Sequence, residues 1–331
     1  MDAKITKERL SRMLSYDWLK IVGLALAAIL LWTLVFTTTA TRITPAQQFT
    51  VINYFGNVST VGTTVSETLN DALNDGVFSY EVIENTVVDV GGNEEYGATL
   101  METRVSTYEG DVIFVPDIAN EDTEYELNGE KRYDSYLQNL VNGYYSKMMN
   151  LDPEDPDGYF QRMEKFLNGF YNGDYKTGER DDQAIETAFL ERIEKNKDKR
   201  FKKDAQIEQG IRDEIARIVK YRDALIEFYG YLDSGLVTLT KTQLLDHENN
   251  DAVKYEGIFS INLCPDKEKM PNLHTIAAYA KTVKDEAGKE QTFRSAENMN
   301  VALLDFPETE ESFEYESLLY INYVIRLSKA A

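Results

Sequence analysis

The residues best suited to chemistry are carboxylates in a short acidic loop. Asp155, Asp157 and Glu164 have the spacing of positions 3, 5 and 12 of an EF-hand loop when Gly158 is placed at position 6. Position 1 then falls on Pro153, whose side chain offers no oxygen. The pattern allows a calcium site or a turn in which Asp157 caps the following helix. We expect the turn and keep calcium as the alternative.

Residue patterns typical of catalysis do not occur in the sequence. The two histidines are His247 and His274, and no HExxH, GxSxG, Walker A or GxGxxG pattern is present. The single cysteine, Cys264, ends an apolar stretch, which predicts a buried and inert thiol. We therefore expect a protein that is not an enzyme, with no cofactor.

One uncharged run, residues 21–41, determines the organisation of the chain. At the rise of an α-helix its length is about 31 Å, enough to cross the hydrocarbon core of a bilayer. The run predicts a transmembrane helix that anchors the protein in the lipid bilayer. The alternative is a cleaved signal peptide with a site at Thr38-Thr39-Ala40, although the run is longer than the apolar region of most signal peptides.

Basic residues flank this run unequally and predict its orientation. Five precede it within residues 1–20, and only Arg42 follows it within twenty residues. The positive-inside rule then makes residues 1–20 a cytoplasmic tail. It places residues 42–331 on the outer side of the cell membrane, as the extracytoplasmic domain of a single-pass protein.

The overall charge limits the partners of that domain. The chain has 35 basic and 57 acidic residues, a net charge of −22. Such a surface repels nucleic acid, which we exclude as a partner. With one cysteine no intramolecular disulfide can form, so the domain must be stable through its hydrophobic core.

Residues 48–117 show the pattern of an α/β sheet. Strand-like segments at 48–55, 80–90 and 111–115 alternate with helical periodicity between them. The third strand has four consecutive apolar residues, which is typical of a strand buried on both faces of a parallel sheet. We expect a doubly wound α/β lobe, completed by strands within residues 235–305.

The rest of the chain is predicted to be mostly helical. Residues 118–132 are acidic and indicate a loop, and residues 133–230 form a helix-rich middle. Its last helix, from Ile207 to Tyr229, has either a short coiled-coil seam or, as we expect, a face packed in the core. The spacing of the apolar residues in 276–283 predicts a further helix, and a terminal helix is expected over 311–327.

A binding cleft in such a sheet belongs at the carboxyl ends of its strands. Asn53, Tyr54 and Asn57 follow the first strand, and Asp117 follows the third. These four residues are the predicted ligand-binding residues.

The exterior part resembles the extracytoplasmic solute-binding proteins of ABC importers, in the class that binds oligosaccharides. The likeness rests on the turn Gly56-Asn57 after the first strand, the segment 109–114 (Glu-Gly-Asp-Val-Ile-Phe) and the late strand 255–262. It covers residues 48–117 best and 250–327 less closely. It implies two α/β lobes that close over a ligand, and delivery of that ligand to a permease.

The function expected from these observations is non-catalytic. The chain would capture a small solute for an ABC transporter, or act as an accessory subunit of its permease. The alternative is a surface interaction or assembly module that has lost ligand binding, which the helix-rich middle and the absence of tryptophan from residues 42–331 favour.

Overall fold

The computed structural model separates the chain into two compact units, Met1–Thr44 and Pro45–Ala331. We refer to the second unit as the body. The structure describes residues 6–8, 11, 18–39, 47–55, 64–80, 82, 84–90, 96–107, 109–127, 129–195, 198, 200–246, 252–284, 289–305 and 315–329.

The N-terminal unit contains one long apolar helix, α1 (Trp18–Thr39). Over Trp18–Thr37 its mean hydropathy is 2.4 and none of it is buried, so its length and composition suit a membrane span or a signal sequence. The hydroxyls of Thr33 and Thr37 donate 2.8 Å hydrogen bonds to the carbonyls of Ile29 and Thr33. These two hydroxyls are therefore satisfied within the helix, as an apolar environment requires.

The body is a mixed α/β unit. Its helices in the described residues are α2 (Val65–Asn74), α3 (Gly97–Ser106), α4 (Tyr136–Tyr144), α5 (Tyr159–Asn168), α6 (Asp182–Lys195), α7 (Asp204–Asp233), α8 (Leu273–Ile276) and α9 (Glu316–Ser328). Its strands there are β1 (Gln48–Asn53), β2 (Glu84–Asp89), β3 (Val112–Pro116), β4 (Ala119–Leu127), β5 (Glu130–Ser135), β6 (Thr238–Asp246), β7 (Ala252–Asn262), β8 (Tyr279–Lys284), β9 (Glu290–Ser295) and β10 (Met299–Ala302).

Six strands form the main sheet, in the order β2-β1-β3-β10-β7-β6. β1 pairs in parallel with both β2 and β3, with Val51 opposite Val87 on one side and Val112 on the other. The predicted parallel arrangement of the first three strands is confirmed. All five residues of β3 are buried, as its unbroken apolar run predicts.

Alternate residues of the central strands serve two hydrophobic cores. Val51 and Phe114 face a core shared with α2, α5, α7 and α9. Ile52 and Ile113 face a second core, shared with α3 and α4. Helices therefore cover both faces of the sheet, which explains why its central strands are apolar without alternation.

The helix-rich middle is confirmed, and its longest helix, α7, has 30 residues. Ile218, Leu225 and Phe228 are buried in the same core as the sheet, so α7 is a core helix of the body. Arg222, which interrupts its apolar pattern, donates a 2.7 Å hydrogen bond to the Tyr175 carbonyl. A second lobe apart from this core remains a prediction.

Two local predictions were wrong. The acidic segment 118–132, expected to be a loop, belongs to the antiparallel hairpin of β4 and β5. The segment 276–283, expected to be a helix, contains only the end of α8 and then strand β8, which pairs with β9. In both segments the strand is stabilised by a partner that a local helical or loop pattern does not reveal.

Candidate functional site

Three of the four predicted ligand-binding residues lie at one edge of the sheet. Asn53 ends β1, and its carbonyl accepts a 3.0 Å hydrogen bond from the Val90 amide. The Tyr54 amide donates to the Phe114 carbonyl at 2.8 Å, and Asp117 follows directly after β3. Asn57 lies outside the described residues. The topological rule therefore brings Asn53, Tyr54 and Asp117 to the same edge.

Burial limits what two of these side chains can do there. Asn53 is 1% exposed, and its Oδ1 atom has no hydrogen-bond partner among the described residues. Burial, and then the nearby Tyr144, raises the pKa of Tyr54 to about 12. Tyr54 is thus a neutral hydroxyl at physiological pH, suited to hydrogen bonding and not to proton transfer.

Two of the three alternative calcium residues, Asp155 and Glu164, are engaged in separate hydrogen bonds. The Asp155 carboxylate accepts a 2.9 Å hydrogen bond from the Asp157 amide. The Glu164 carboxylate accepts hydrogen bonds from the hydroxyls of Tyr229 at 2.8 Å and Tyr175 at 3.3 Å. In the part of the chain that the structure describes, no three acidic, histidine or cysteine side chains are grouped to hold a metal ion.

The expected turn is present in this loop, but its helix cap differs from the prediction. Gly158, and not Asp157, is the N-cap residue of α5, and it caps without a side-chain hydrogen bond. A Cβ atom at Gly158 would lie 2.8 Å from the Asp152 carbonyl oxygen and 3.1 Å from that of Asp155. The loop folds so tightly over this position that only glycine fits without displacement.

A pocket of about 470 Å³ lies at the same sheet edge, beyond the end of β7. The edge is continuous, because the Leu263 amide donates to the Met299 carbonyl and the Asp117 amide to the Asn298 carbonyl. We call this the basic pocket. Its lining comes from the loop after β7, from α8 and from the β8–β9 ribbon: Cys264, Lys267, Met270, Pro271, His274, Lys281, Val283, Phe293, Arg294, Ser295, Ala296 and Glu297.

Cations exceed carboxylates in the basic pocket. It contains Lys267, Lys281 and Arg294 but one carboxylate, Glu297. Lys281 and Glu297 pair at 2.5 Å, and this hydrogen bond raises the pKa of Lys281 and lowers that of Glu297. The Arg294 Nη2 atom donates to the Thr275 carbonyl at 3.4 Å, while its Nε atom is buried with no partner among the described residues. The pocket therefore favours a bound anion.

Apolar side chains form the outer wall of the basic pocket. Phe293 and Val283 are 47% and 46% exposed, and Phe293 lies directly opposite Lys281 in the ribbon register. This places an aromatic ring beside a cation on one face of the ribbon. A ligand with an anionic group and an apolar part would match both features.

The basic pocket contains two side chains of reactive types, Cys264 and His274. Cys264 is buried, and burial, with smaller contributions from Glu297 and Asp266, raises the pKa of its thiol. The Nδ1 atom of the exposed His274 lies 2.8 Å from the Pro271 carbonyl. Since a carbonyl only accepts, Nδ1 carries the proton. The other histidine, His247, lies outside the described residues.

The predicted residues that the structure describes lie at the sheet edge beside the basic pocket, but none of them lines it. The lining residues are spread over residues 264–297, and the apolar spacing in 276–283 predicts a helix where the structure has the end of α8 and most of strand β8. The alternation of Tyr279, Lys281 and Val283, with period two, was the available signal. No family model, curated protein or solved structure matches the chain.

Proposed function

We propose that the chain is a membrane-anchored, non-catalytic binding protein whose body captures a small anionic solute outside the cytoplasm. The observation that carries the proposal is the excess of cations in the basic pocket. The net charge of the protein is −22, so a local cluster of three cations, Lys267, Lys281 and Arg294, is not expected from the composition. The buried Nε atom of Arg294 is a hydrogen-bond donor that an anionic ligand would satisfy.

The anchor and the charge distribution of the sequence support the location. The apolar helix α1 suits a membrane span, and the basic residues before it favour a cytoplasmic N-terminus. The resemblance to solute-binding proteins of ABC importers supports delivery to a permease, or an accessory role beside it. In this proposal α1 keeps the body close to the transporter. The resemblance further suggests that two lobes of the body close over the bound ligand.

Binding is tested with the full chain in detergent micelles by thermal shift and isothermal titration. Phenyl phosphate combines an anion with an apolar ring, inorganic phosphate supplies the anion alone, and benzyl alcohol supplies the ring alone. Maltose tests the sugar ligand implied by the resemblance. We expect phenyl phosphate to bind best, and a ligand at a hundredfold excess over its Kd to stabilise the protein by about 2.7 kcal/mol.

Variants assign the binding to the basic pocket. Arg294→Gln and Lys267→Gln should each weaken phenyl phosphate binding at least about fivefold, because each removes a charged hydrogen-bond donor. Lys202→Gln removes an exposed lysine elsewhere and should leave binding unchanged. Equal loss in all three variants would mean that general surface charge attracts the anion. If maltose binds and phenyl phosphate does not, the proposed anionic ligand is wrong, but the proposed role as a solute-binding protein is retained.

A second candidate function is an interaction or assembly module. It is favoured by the packing of α5 and α7 directly onto the sheet core, in the region where a separate ligand-binding lobe is expected. Tyr145 and Tyr255 also form an exposed aromatic pair, with ring centroids 5.4 Å apart. Aromatic side chains are enriched in protein interfaces. Chemical cross-linking in membranes would support this function if Tyr145→Ser with Tyr255→Ser removed a cross-linked partner.

A further inference from the structure

A second cleft lies between α7, α9 and the turn after α2. Its volume is about 360 Å³, and it is separate from the basic pocket in its lining residues. Asp75 belongs to the turn, and Asp223 and Glu227 are one helical turn apart on α7. Three carboxylates from two elements therefore border this space, which we call the acidic cleft.

The two cations at the acidic cleft already have partners. The Lys220 Nζ atom donates to the carbonyls of Gly76 at 2.7 Å and Phe78 at 3.0 Å. The Arg326 Nη1 atom donates to the Glu227 carboxylate at 2.9 Å. The donors of the cleft are thus largely consumed within the protein.

Two carboxylates of the acidic cleft retain the capacity to accept hydrogen bonds. The Tyr323 hydroxyl donates to one oxygen of Asp75, Oδ2, at 2.8 Å. The Asp223 side chain is 63% exposed, and among the described residues its carboxylate has one long contact, of 3.4 Å to Arg222. Because a carboxylate accepts through two oxygens, both groups can take further donors.

A buried acceptor in the same wall points independently to a ligand. Asn322 lines the cleft and is 1% exposed. Its Nδ2 atom donates to the Ala224 carbonyl at 2.8 Å, which fixes the orientation of the amide. The Oδ1 atom is buried and has no hydrogen-bond partner among the described residues. Such an acceptor is costly unless a donor reaches it.

We propose that the acidic cleft binds an organic cation that carries primary ammonium groups. Each ammonium has three donors and no acceptor, which complements Asn322 Oδ1, Asp75 and Asp223. A metal ion fits less well, because no metal-binding group of three side chains occurs among the described residues. The site is separate from the basic pocket, so either proposal can fail without the other.

The test is isothermal titration of the full chain in neutral detergent with spermidine, at physiological ionic strength. Its fully acetylated derivative, which has the same backbone without ammonium groups, is the matched ligand. We expect one spermidine per chain and no binding of the acetylated form. Failure of spermidine to bind would overturn the proposal, as would equal binding of the two compounds.

Three variants separate a built site from general attraction to an acidic protein. Asp223→Asn should weaken spermidine binding at least about fivefold, whereas Asp213→Asn, an exposed change on the same helix, should not affect it. Arg326→Gln should tighten binding, because the acidic cleft loses the positive charge that lies 2.9 Å from the Glu227 carboxylate. Equal weakening in both aspartate variants would overturn the proposal, and so would an unchanged or weaker affinity in Arg326→Gln.

Discussion

The hydroxyl of Tyr221 on α7 donates a hydrogen bond of 2.6 Å to the Glu316 carboxylate in the first turn of α9. Both residues are buried, at 0% and 3% exposure. The other oxygen of Glu316 accepts from the Ser79 amide at 2.8 Å. This carboxyl group therefore connects the long helix, the terminal helix and the segment after α2 through one buried site.

Tyr221→Phe should destabilise the body by about 1–3 kcal/mol, because it leaves an oxygen of a buried carboxyl without a donor. Urea denaturation monitored by circular dichroism gives the difference. Tyr255→Phe removes a hydroxyl from a ring that is 42% exposed and should change stability by less than about 0.5 kcal/mol. Equal stabilities of Tyr221→Phe and wild type would show that the hydrogen bond contributes nothing net.

Asp111 gives the body an unusual pH dependence. Burial raises its pKa to about 7, the charge of Glu316 adds to the effect, and a 2.7 Å hydrogen bond from the Thr50 amide only partly opposes it. The folded state therefore binds a proton that the unfolded chain releases at the ordinary aspartate pKa of about 3.8. This contribution to stability is fully present below about pH 4 and decreases as the pH rises through 7.

Asp111→Asn should remove that dependence, since asparagine keeps an acceptor for Thr50 and does not ionise. Relative to wild type, the variant should gain up to about 1.4 kcal/mol per pH unit between pH 5 and 7. Urea denaturation across pH 5–8 measures the difference. Asp213→Asn, at an exposed position, should follow the wild-type curve. Parallel curves for Asp111→Asn and wild type would mean that Asp111 is ionised throughout.

Helix packing gives a prediction with an internal control. A Cβ atom at Gly210 of α7 would lie 2.6 Å from Cε1 of Phe201 and closer still to the ring of Phe189. Phe189 is 2% exposed and packs edge-to-face on Phe201, so neither ring moves freely. Gly210→Ala should cost about 1–3 kcal/mol in thermal or urea unfolding through overpacking.

Gly230 provides the matched position on the same helix. Nothing lies within 4 Å of a Cβ atom there, so Gly230→Ala should stabilise the body by up to about 1 kcal/mol through helix propensity. Destabilisation by both changes to the same extent would contradict a steric origin at Gly210.

The parts of the fold that the sequence predicts are those in which burial dominates the local pattern. In β3 and α7, apolar residues of the sequence pattern lie in the core of the structure. The β8–β9 ribbon behaves differently, because Lys281 is held opposite Phe293, twelve residues further along. The apolar spacing between Ile276 and Val283 also suits a helix, and pairing with β9 determines that this segment forms a strand.

The same distinction explains the candidate site. The rule for parallel sheets locates the edge where Asn53 and Asp117 lie, since it depends on topology alone. The charged lining of the basic pocket comes from connections beyond that edge, such as Arg294 in β9. Their positions depend on the pairing of β8 with β9, and the period-two alternation of Tyr279, Lys281 and Val283 is too short to predict that pairing from the sequence alone.

The apolar helix α1 predicts a protein that stays anchored in the membrane by an uncleaved N-terminal helix. Protein from membranes should resist carbonate extraction and have the mass of the whole chain, 37.9 kDa. Leu30→Arg should reduce membrane retention, because arginine at the centre of a span costs about 2.5–3.5 kcal/mol, whereas Leu30→Ala should not. A mass lower by about forty residues would identify a cleaved signal sequence instead.

The orientation of the body is tested separately. Protease added to intact cells should digest the body if it lies outside the cell membrane.

The single thiol of the chain allows a direct test of the basic pocket. Burial raises the pKa of Cys264, so little thiolate forms at neutral pH and access to the sulfur is limited. At pH 7 a maleimide should label the native chain at least about tenfold more slowly than the urea-unfolded chain. The comparison variant combines Cys264→Ser with Ser234→Cys, which moves the thiol to an exposed position and should restore fast labelling. Equally fast labelling of native wild type and this variant would show that Cys264 is open to solvent and ionises normally.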